Sequence, residues 1–357
     1  MTYRELLAAR QYSLSQPRKE EILRPQLNAL TQHHRARCPA YARVLSAVYP
    51  DAGKGATLAD IPFLPVSLFK THLLSSTDEI FKTLTSSGTT GQQVSRIPLD
   101  RETAQRQTAA LARVLTHVLG PRPLPMIVVD TESTMKVREQ LNARAAGVVG
   151  MMTFGRHHFF ALDENMNLNA AGLQAFLQEY GAQPFLMFGF TFMVWQYFFA
   201  RVVALRTDLS QGILIHSGGW KKMTEIAVTN REFRQRFADK TGLTRIYNFY
   251  GMAEQVGSIF LEGEDGYLYP PNFGDVIVRD PVTFREQPVG KEGLVQVLSL
   301  LPLSYPGHSI LTEDLGVIHG IDDSTCGRAG KYFSVTGRVP KSELRGCSDV
   351  HASQVSV

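Results

Sequence analysis

The chain has 357 residues, 44% hydrophobic and 20% charged, with a formal net charge of +4 and three cysteines. That length can bury a large core and build more than one lobe, while a charge this small and this scattered argues against a nucleic-acid binder. Cys38, Cys326 and Cys347 form no CxxC pair and no metal-ligand spacing, which excludes a disulfide framework and points to a reduced, cytoplasmic protein.

The charged start, MTYRELLAARQYSLSQPRKEE, has no apolar signal core. Residues 1–50 read as helical, with apolar residues recurring at Leu23, Leu27 and Leu30 and again at Val44, Leu45 and Val48. IPFLPVSLFK (61–70) carries two prolines and reads as an extended linker. After the polar stretch FKTLTSSGTTGQQVSRIPLD, a helix is expected over 101–120, stopped by Gly120 and Pro121. Strands at 125–130, 147–152, 184–189, 212–219 and 244–251 then alternate with helices at 135–147, 167–181, 190–205 and 223–242. This is the pattern of a layered α/β core. Beyond about 255 short β-like runs (256–262, 275–280, 293–300, 309–318 and 331–338) are separated by Gly, Pro and Asp and predict a β-rich sub-domain. The uncharged stretch 184–200 is short for a membrane span and contains Gly189 and Gln196, so a buried strand followed by a buried helix is expected.

TSSGTTG (85–91) interleaves hydroxyl side chains with glycines. Glycines let a backbone approach an anion, and backbone N–H groups with hydroxyls then wrap its oxygens. It is not a P-loop, because Gly91 is followed by Gln92 and Gln93 rather than Lys-Ser or Lys-Thr. Composition alone leaves a plain polar loop as the competing reading.

The loop resembles the signature of the adenylate-forming enzymes, and further motifs follow in that superfamily's order. They are HSGGWKK (216–222), YNFYGMAE (247–254), LTEDLG (311–316) and TGRVPKSELRG (336–346). The resemblance implies ATP phosphates cradled by Thr85, Ser86, Ser87, Gly88, Thr89, Thr90 and Gly91, and a glycine pair, Gly218 and Gly219, near adenine with Ser217 beside it. It also implies adenine stacking by Tyr250 beside Gly251, a magnesium ligand at Glu254, ribose hydroxyls on Asp314, and ribose or phosphate on Arg338. Each motif alone is a weak signal; their joint order from 85 to 346 is specific.

Within the superfamily the chain is similar to the LuxE-like acyl-protein synthetases of bacterial luminescence systems. The likeness is carried by NARAAGVVG, FALDENM, FGFTF, LIHSGGWKK, RDPVTFREQPVGKEGLVQVLSLLPLSYPGHSILTEDLG and SELRGCS. It implies a ligase that uses ATP and Mg2+ to convert a fatty or aromatic carboxylic acid into an acyl-adenylate, releasing pyrophosphate. A cysteine near the C-terminus, here Cys347, takes up the acyl group and passes it to an acyl-accepting protein such as a reductase or carrier protein. Arg345 beside it favours the thiolate.

The fold expected from the resemblance is the α/β large domain of an adenylate-forming enzyme with a β-rich C-terminal sub-domain. The expected division is 1–60 helical and packed on the core, 61–255 α/β core with the phosphate loop, 256–337 β-rich, and 338–357 truncated hinge and tail. The superfamily's usual small C-terminal domain, with its catalytic lysine, has no counterpart before Val357. Lys341, Arg338 and Lys222 are, in that order, the cations expected to balance the α-phosphate. Phe188, Gly189, Phe190, Trp195 and His216 are candidates to line the acid site, although aromatic stripes and strand-end histidines are usually core. His157 and His158 read as a core pair or as an edge of that site, His308 as a turn residue, and Cys38 and Cys326 as inert. Three further readings stay open: transfer to coenzyme A, a carrier or an amine without Cys347; a catalytically silent nucleotide-binding scaffold; and a cysteine hydrolase using Cys347 with His351.

Overall fold

The computed structural model describes residues 1–50, 55–86, 94–135, 143–220 and 227–339. Its strands, in chain order, are β1 (Leu64–Pro65), β2 (Lys82–Thr85), β3 (Arg96–Leu99), β4 (Leu124–Thr131), β5 (Gly155–Leu162), β6 (Phe185–Phe190), β7 (Gly212–Ser217), β8 (Arg245–Tyr250), β9 (Phe260–Glu262), β10 (Leu268–Tyr269), β11 (Gly274–Arg279), β12 (Glu292–Ser299), β13 (Ser309–Ile321) and β14 (Lys331–Arg338). The chain forms two compact units. The described residues of the first are 1–50, 55–86, 94–117 and 251–339; those of the second are 118–135, 143–220 and 227–250.

The second unit is built on a parallel sheet in the order β8-β7-β6-β4-β5. Both faces are covered, so its strands are continuous apolar runs; β6 (FLMFGF) is buried at every position. The 184–200 stretch is therefore β6 followed by a helical segment, Thr191–Met193, Val194–Phe199 and Ala200–Ala204. No helix among the described residues is long and apolar enough to cross a membrane. The helix Asn230–Thr241 starts where the Thr229 side chain accepts from Glu232 N and ends at Gly242, in the left-handed conformation (φ 72°).

One expectation fails here. Residues 147–152 are not a strand; they complete a helix, Ala143–Met152, and the strand comes later as β5. Ala145, Val148 and Met151, three residues apart, are all buried, which is helical spacing that a short apolar run conceals. His157 and His158 lie on β5 and are exposed, so they are not a core pair; His158 is hydrogen-bonded to Met152 O at 2.9 Å.

In the first unit, β11, β12, β13, β14, β10 and β9 form an antiparallel run, to which β1 adds in parallel along β13. The helix Gln16–Arg37 lays Ile22, Leu23, Leu27 and Leu30 against Ile277, Leu298 and Leu300. Polar contacts fix its start: Gln16 Nε2 donates to Asp275 Oδ2 at 2.7 Å and the buried Lys19 Nζ to Pro270 O at 3.0 Å. The proline-rich linker supplies β1 and a single helical turn, Leu68–Thr71.

Three buried histidines make the fold acid-sensitive. His308 pairs with Thr31 Oγ1 at 3.0 Å and stacks on His34 at 5.0 Å, and His34 Nδ1 meets Ser76 Oγ at 2.8 Å. Burial pushes His308 and His216 each down to about 3 and His34 well below the ordinary imidazole value of 6.5. Folding then keeps them neutral, while the unfolded chain takes up protons below about pH 6.5. Stability is thus lost as pH falls from about 6.5 toward 3. Calorimetry should show the melting temperature falling across this window, with a shallower slope in His308→Asn; a flat profile between pH 6.5 and 4 would contradict the assignment.

Candidate active site

The motif residues divide between the two units, and YNFYGMAE itself is split between Tyr250 and Gly251. In the first, Glu254 sits in the 3₁₀ turn Ala253–Gln255. The Gln255 side chain ties that turn down by donating to Gly307 O at 2.7 Å and Val297 O at 3.2 Å, and the Tyr305 hydroxyl donates to Glu254 O at 2.8 Å. Glu254 is 5% exposed. Burial raises its pKa; the Ser95 hydroxyl and the charges of Lys70 and Arg338 pull the other way without winning. An anion held in such a place is one that a bound cation would stabilise.

Asp314 lies two residues beyond Thr312, whose hydroxyl donates to Val295 O at 2.8 Å and accepts from Asp314 N at 3.1 Å. That explains the Thr-x-Asp spacing: the threonine fixes the backbone of the aspartate. Asp314 is opposite Arg338 in the β13–β14 register, and Arg338 Nε donates to Asp314 Oδ1 at 2.7 Å.

The Ser/Gly/Thr loop springs from a hairpin that composition did not announce. β2 pairs antiparallel with β3, from Lys82↔Leu99 to Thr85↔Arg96. Ser86 N donates to Ser95 O at 3.1 Å and Ser95 N to Ser86 Oγ at 2.9 Å, closing the stem. Thr85 and Ser86 are at its mouth. Ser87, Gly88, Thr89, Thr90 and Gly91, like Lys222, Lys341 and Cys347, lie outside the described residues.

In the second unit the chain passes from β4 to β5, then crosses to β6 and continues through β7 to β8, so its direction across the sheet reverses between β4 and β6. Open parallel sheets bind ligands beyond the strand ends at such a reversal. The β4 end carries Asp130, fully buried, which accepts from Arg144 Nε at 2.8 Å and from Thr134 Oγ1 at 2.7 Å, and is joined by Arg144 Nη2 as well. The β6 end carries Phe190, whose ring lies beside two glycines. A Cβ built on Gly147 would be 3.5 Å from it, and one on Gly218 3.7 Å from it.

Strand alternation divides the expected acid-site residues. Phe188 and Phe190 share one face of β6, with ring centroids 5.9 Å apart. Gly189 faces the other way, and a Cβ there would meet Val194 and Val129 at 2.7 and 2.8 Å. His216 pairs with Gly189 in register and lies with its ring 4.8 Å from Phe233. Its Nδ1 meets Thr191 Oγ1 at 2.9 Å, and its Nε2 has no hydrogen-bond partner among the described residues. Trp195 stacks on Phe199 at 4.6 Å and leans on Phe233 at 5.4 Å. Ser217 ends β7, Gly218 and Gly219 follow it, Tyr250 ends β8, and Gly218 has φ +84°. Sequence reasoning missed Lys70, Ser95, Asp130 and Arg144.

Among the described residues, no group of three or more His, Cys, Asp or Glu could hold a metal by itself. Glu254 still fits magnesium as a single hard-oxygen ligand, because that ion keeps waters and takes most of its other ligands from substrate phosphates.

A family model described as acyl-protein synthetase, LuxE, matches residues 3–356. Among solved structures the chain is similar to 2-hydroxyisobutyryl-CoA ligase in an open conformation with 2-HIB-AMP and CoA. It shares 18% identity and a TM-score of 0.65 with that structure, covering 92% of this chain and 79% of the other. The same ligase in the postadenylation state with 2-HIB-AMP gives 18% identity and a TM-score of 0.65, covering 90% and 70%. At that identity the likeness shows the fold alone, a mixed α/β chain built on a large sheet. No match is found among the curated proteins.

Proposed function

The chain belongs to the LuxE family of acyl-protein synthetases, an AMP-forming acid–thiol ligase that activates its acid as an acyl-adenylate, and from that premise we propose how its own residues divide the work. The observation that carries the proposal is the grouping, within one unit, of the phosphate-loop stem, the buried Glu254 and the Asp314–Arg338 pair.

The 85–91 loop holds the ATP phosphates, Tyr250 stacks on adenine beside Gly218 and Gly219, and Asp314 takes the ribose hydroxyls while Arg338 orients it. Glu254 would hold magnesium, which when bound neutralises phosphate charge. The acid lies against Phe190 and Phe188, which share one face of β6. One carboxylate oxygen attacks the α-phosphorus, the bond to the bridging oxygen breaks, and pyrophosphate leaves with its electron pair. The protein aligns the reactants and offsets crowded charge. The Cys347 thiolate then attacks the acyl carbonyl, AMP leaves with the mixed-anhydride oxygen, and the thiol proton goes to solvent. The thioester is handed to a protein acceptor, a reductase or a carrier. A reducing cytoplasm suits a thiol-held product, and Cys38 and Cys326 are free thiols.

The full-length protein with ATP, magnesium and a radiolabelled fatty or aromatic acid tests the thiol step. Cys347→Ser should keep acyl-AMP formation and lose the stable protein label. A label of full strength in that variant, or acyl transfer to coenzyme A in its place, contradicts Cys347 as the acceptor.

A further inference from the structure

The helical turn Leu68–Thr71 brings one more cation to the first unit's cluster. Its position is fixed from three sides. β1 pairs with β13 at Leu64↔Ile310 and Pro65↔Leu311. Val66 N donates to Leu311 O at 2.9 Å. Phe69 is fully buried with its ring 6.3 Å from Tyr305, the residue whose hydroxyl holds the backbone of Glu254.

Lys70 is next in the chain. Its Nζ lies 3.7 Å from Glu313 Oε2, the neighbour of Asp314, with the two side chains 24% and 35% exposed. Its charge also acts on Glu254. A half-exposed pair at that distance adds little stability, so fold stability alone gives weak reason for an ammonium here. A lysine is a compact point charge suited to phosphate oxygens, and this one is held by the same strand that carries the ribose aspartate.

We propose that Lys70 is a catalytic residue of the adenylation step, its ammonium contacting the polyphosphate of bound ATP and neutralising the charge that passes to pyrophosphate. The bond between the α-phosphorus and the bridging oxygen breaks, its electron pair goes to that oxygen, and Lys70 stays protonated throughout. The inference rests on the adenylate-forming reading above and adds a residue to it.

Acid-dependent ATP–pyrophosphate exchange with the full chain, over a panel of fatty and aromatic acids, tests it. Lys70→Met should lower kcat at least ~100-fold and raise the KM for pyrophosphate, the scale seen when one preorganised charge partner is removed. Lys70→Arg should recover part of the rate. Glu313→Gln should stay within about threefold of the wild type, and all three variants should melt near the wild-type temperature. Wild-type exchange with an unimpaired Lys70→Met variant overturns the Lys70 assignment and leaves the wider reading standing. Equal losses in Lys70→Met and Glu313→Gln also overturn it, because the lysine would then act only through its carboxylate partner. No exchange in the wild type overturns the adenylate-forming reading and this inference with it.

Discussion

Glu254→Gln is expected to cut acyl-adenylate formation ~10²–10³-fold, the range for loss of one group acting on transition-state charge, while making the ligand-free protein more stable. The two effects share a cause. The carboxyl is buried and its pKa is raised by that burial, against the Ser95 hydroxyl and the Lys70 and Arg338 charges. A raised folded-state pKa means that the group favours folding when protonated, below its ordinary value of 4.5. That contribution is lost as pH rises through the folded-state value, so above the ordinary value burial of this carboxyl opposes folding. Glutamine removes the anion and keeps the shape. The variant's melting temperature should therefore exceed that of the wild type at pH 7–8, and the difference should shrink toward pH 4. A variant that is less stable at neutral pH, or as active as the wild type, contradicts this picture of Glu254 as a buried carboxyl that opposes folding and serves the reaction.

Asp130→Ala is expected to give the largest loss of stability of any change considered for the second unit. Asp130 is fully buried and Arg144 is 7% exposed; the guanidinium engages both carboxylate oxygens, and Thr131 N and Thr134 Oγ1 add hydrogen bonds at 2.6 and 2.7 Å. Removing one partner of such a pair leaves a buried charge, at about 3–5 kcal/mol. With roughly 2–4 °C per kcal/mol for domains of this size, the melting temperature should fall by about 6–20 °C. Replacing both partners with apolar residues should recover much of the loss, because a well-packed apolar substitute avoids the desolvation of the pair. Thermal denaturation of Asp130→Ala and of Asp130→Leu/Arg144→Met checks both halves. A single variant that melts within ~2 °C of the wild type would show that the pair is not buried as described. The helix that carries Arg144 also carries Gly147, which lies against Phe190, so the same loss should disturb that packing.

What could be read before the structure was local in the chain. The order of the motifs at 85–91, 247–254, 311–316 and 336–346 carries the ligase reading, because the part of the nucleotide proposed for each motif involves only neighbouring residues. Thr312 shows the physical basis: its hydroxyl sets the backbone of Asp314 two residues away. What escaped depends on partners far along the chain. Lys70 sits in a proline-rich linker, and its placement comes from β1 lying along β13. β2 and β3 are four residues each, with Pro98 in the second, too short and mixed to stand out as a hairpin. The 147–152 error arose because Gly147, Val148 and Val149 favour no single periodicity over so short a run. The split of Phe188 and Phe190 from Gly189 and His216 was legible in principle, since side chains alternate along any strand.

The most direct test of the account is to trap the intermediate. The full-length protein is incubated with ATP, magnesium and each of a panel of straight-chain fatty and aromatic acids, and the products are resolved for acyl-AMP and pyrophosphate. At least one acid should yield acyl-AMP and free AMP that together equal the pyrophosphate released, with neither formed when acid is left out. ATP cleaved to ADP and phosphate, or no acyl-AMP with any acid under conditions where the folded protein binds ATP, would contradict it.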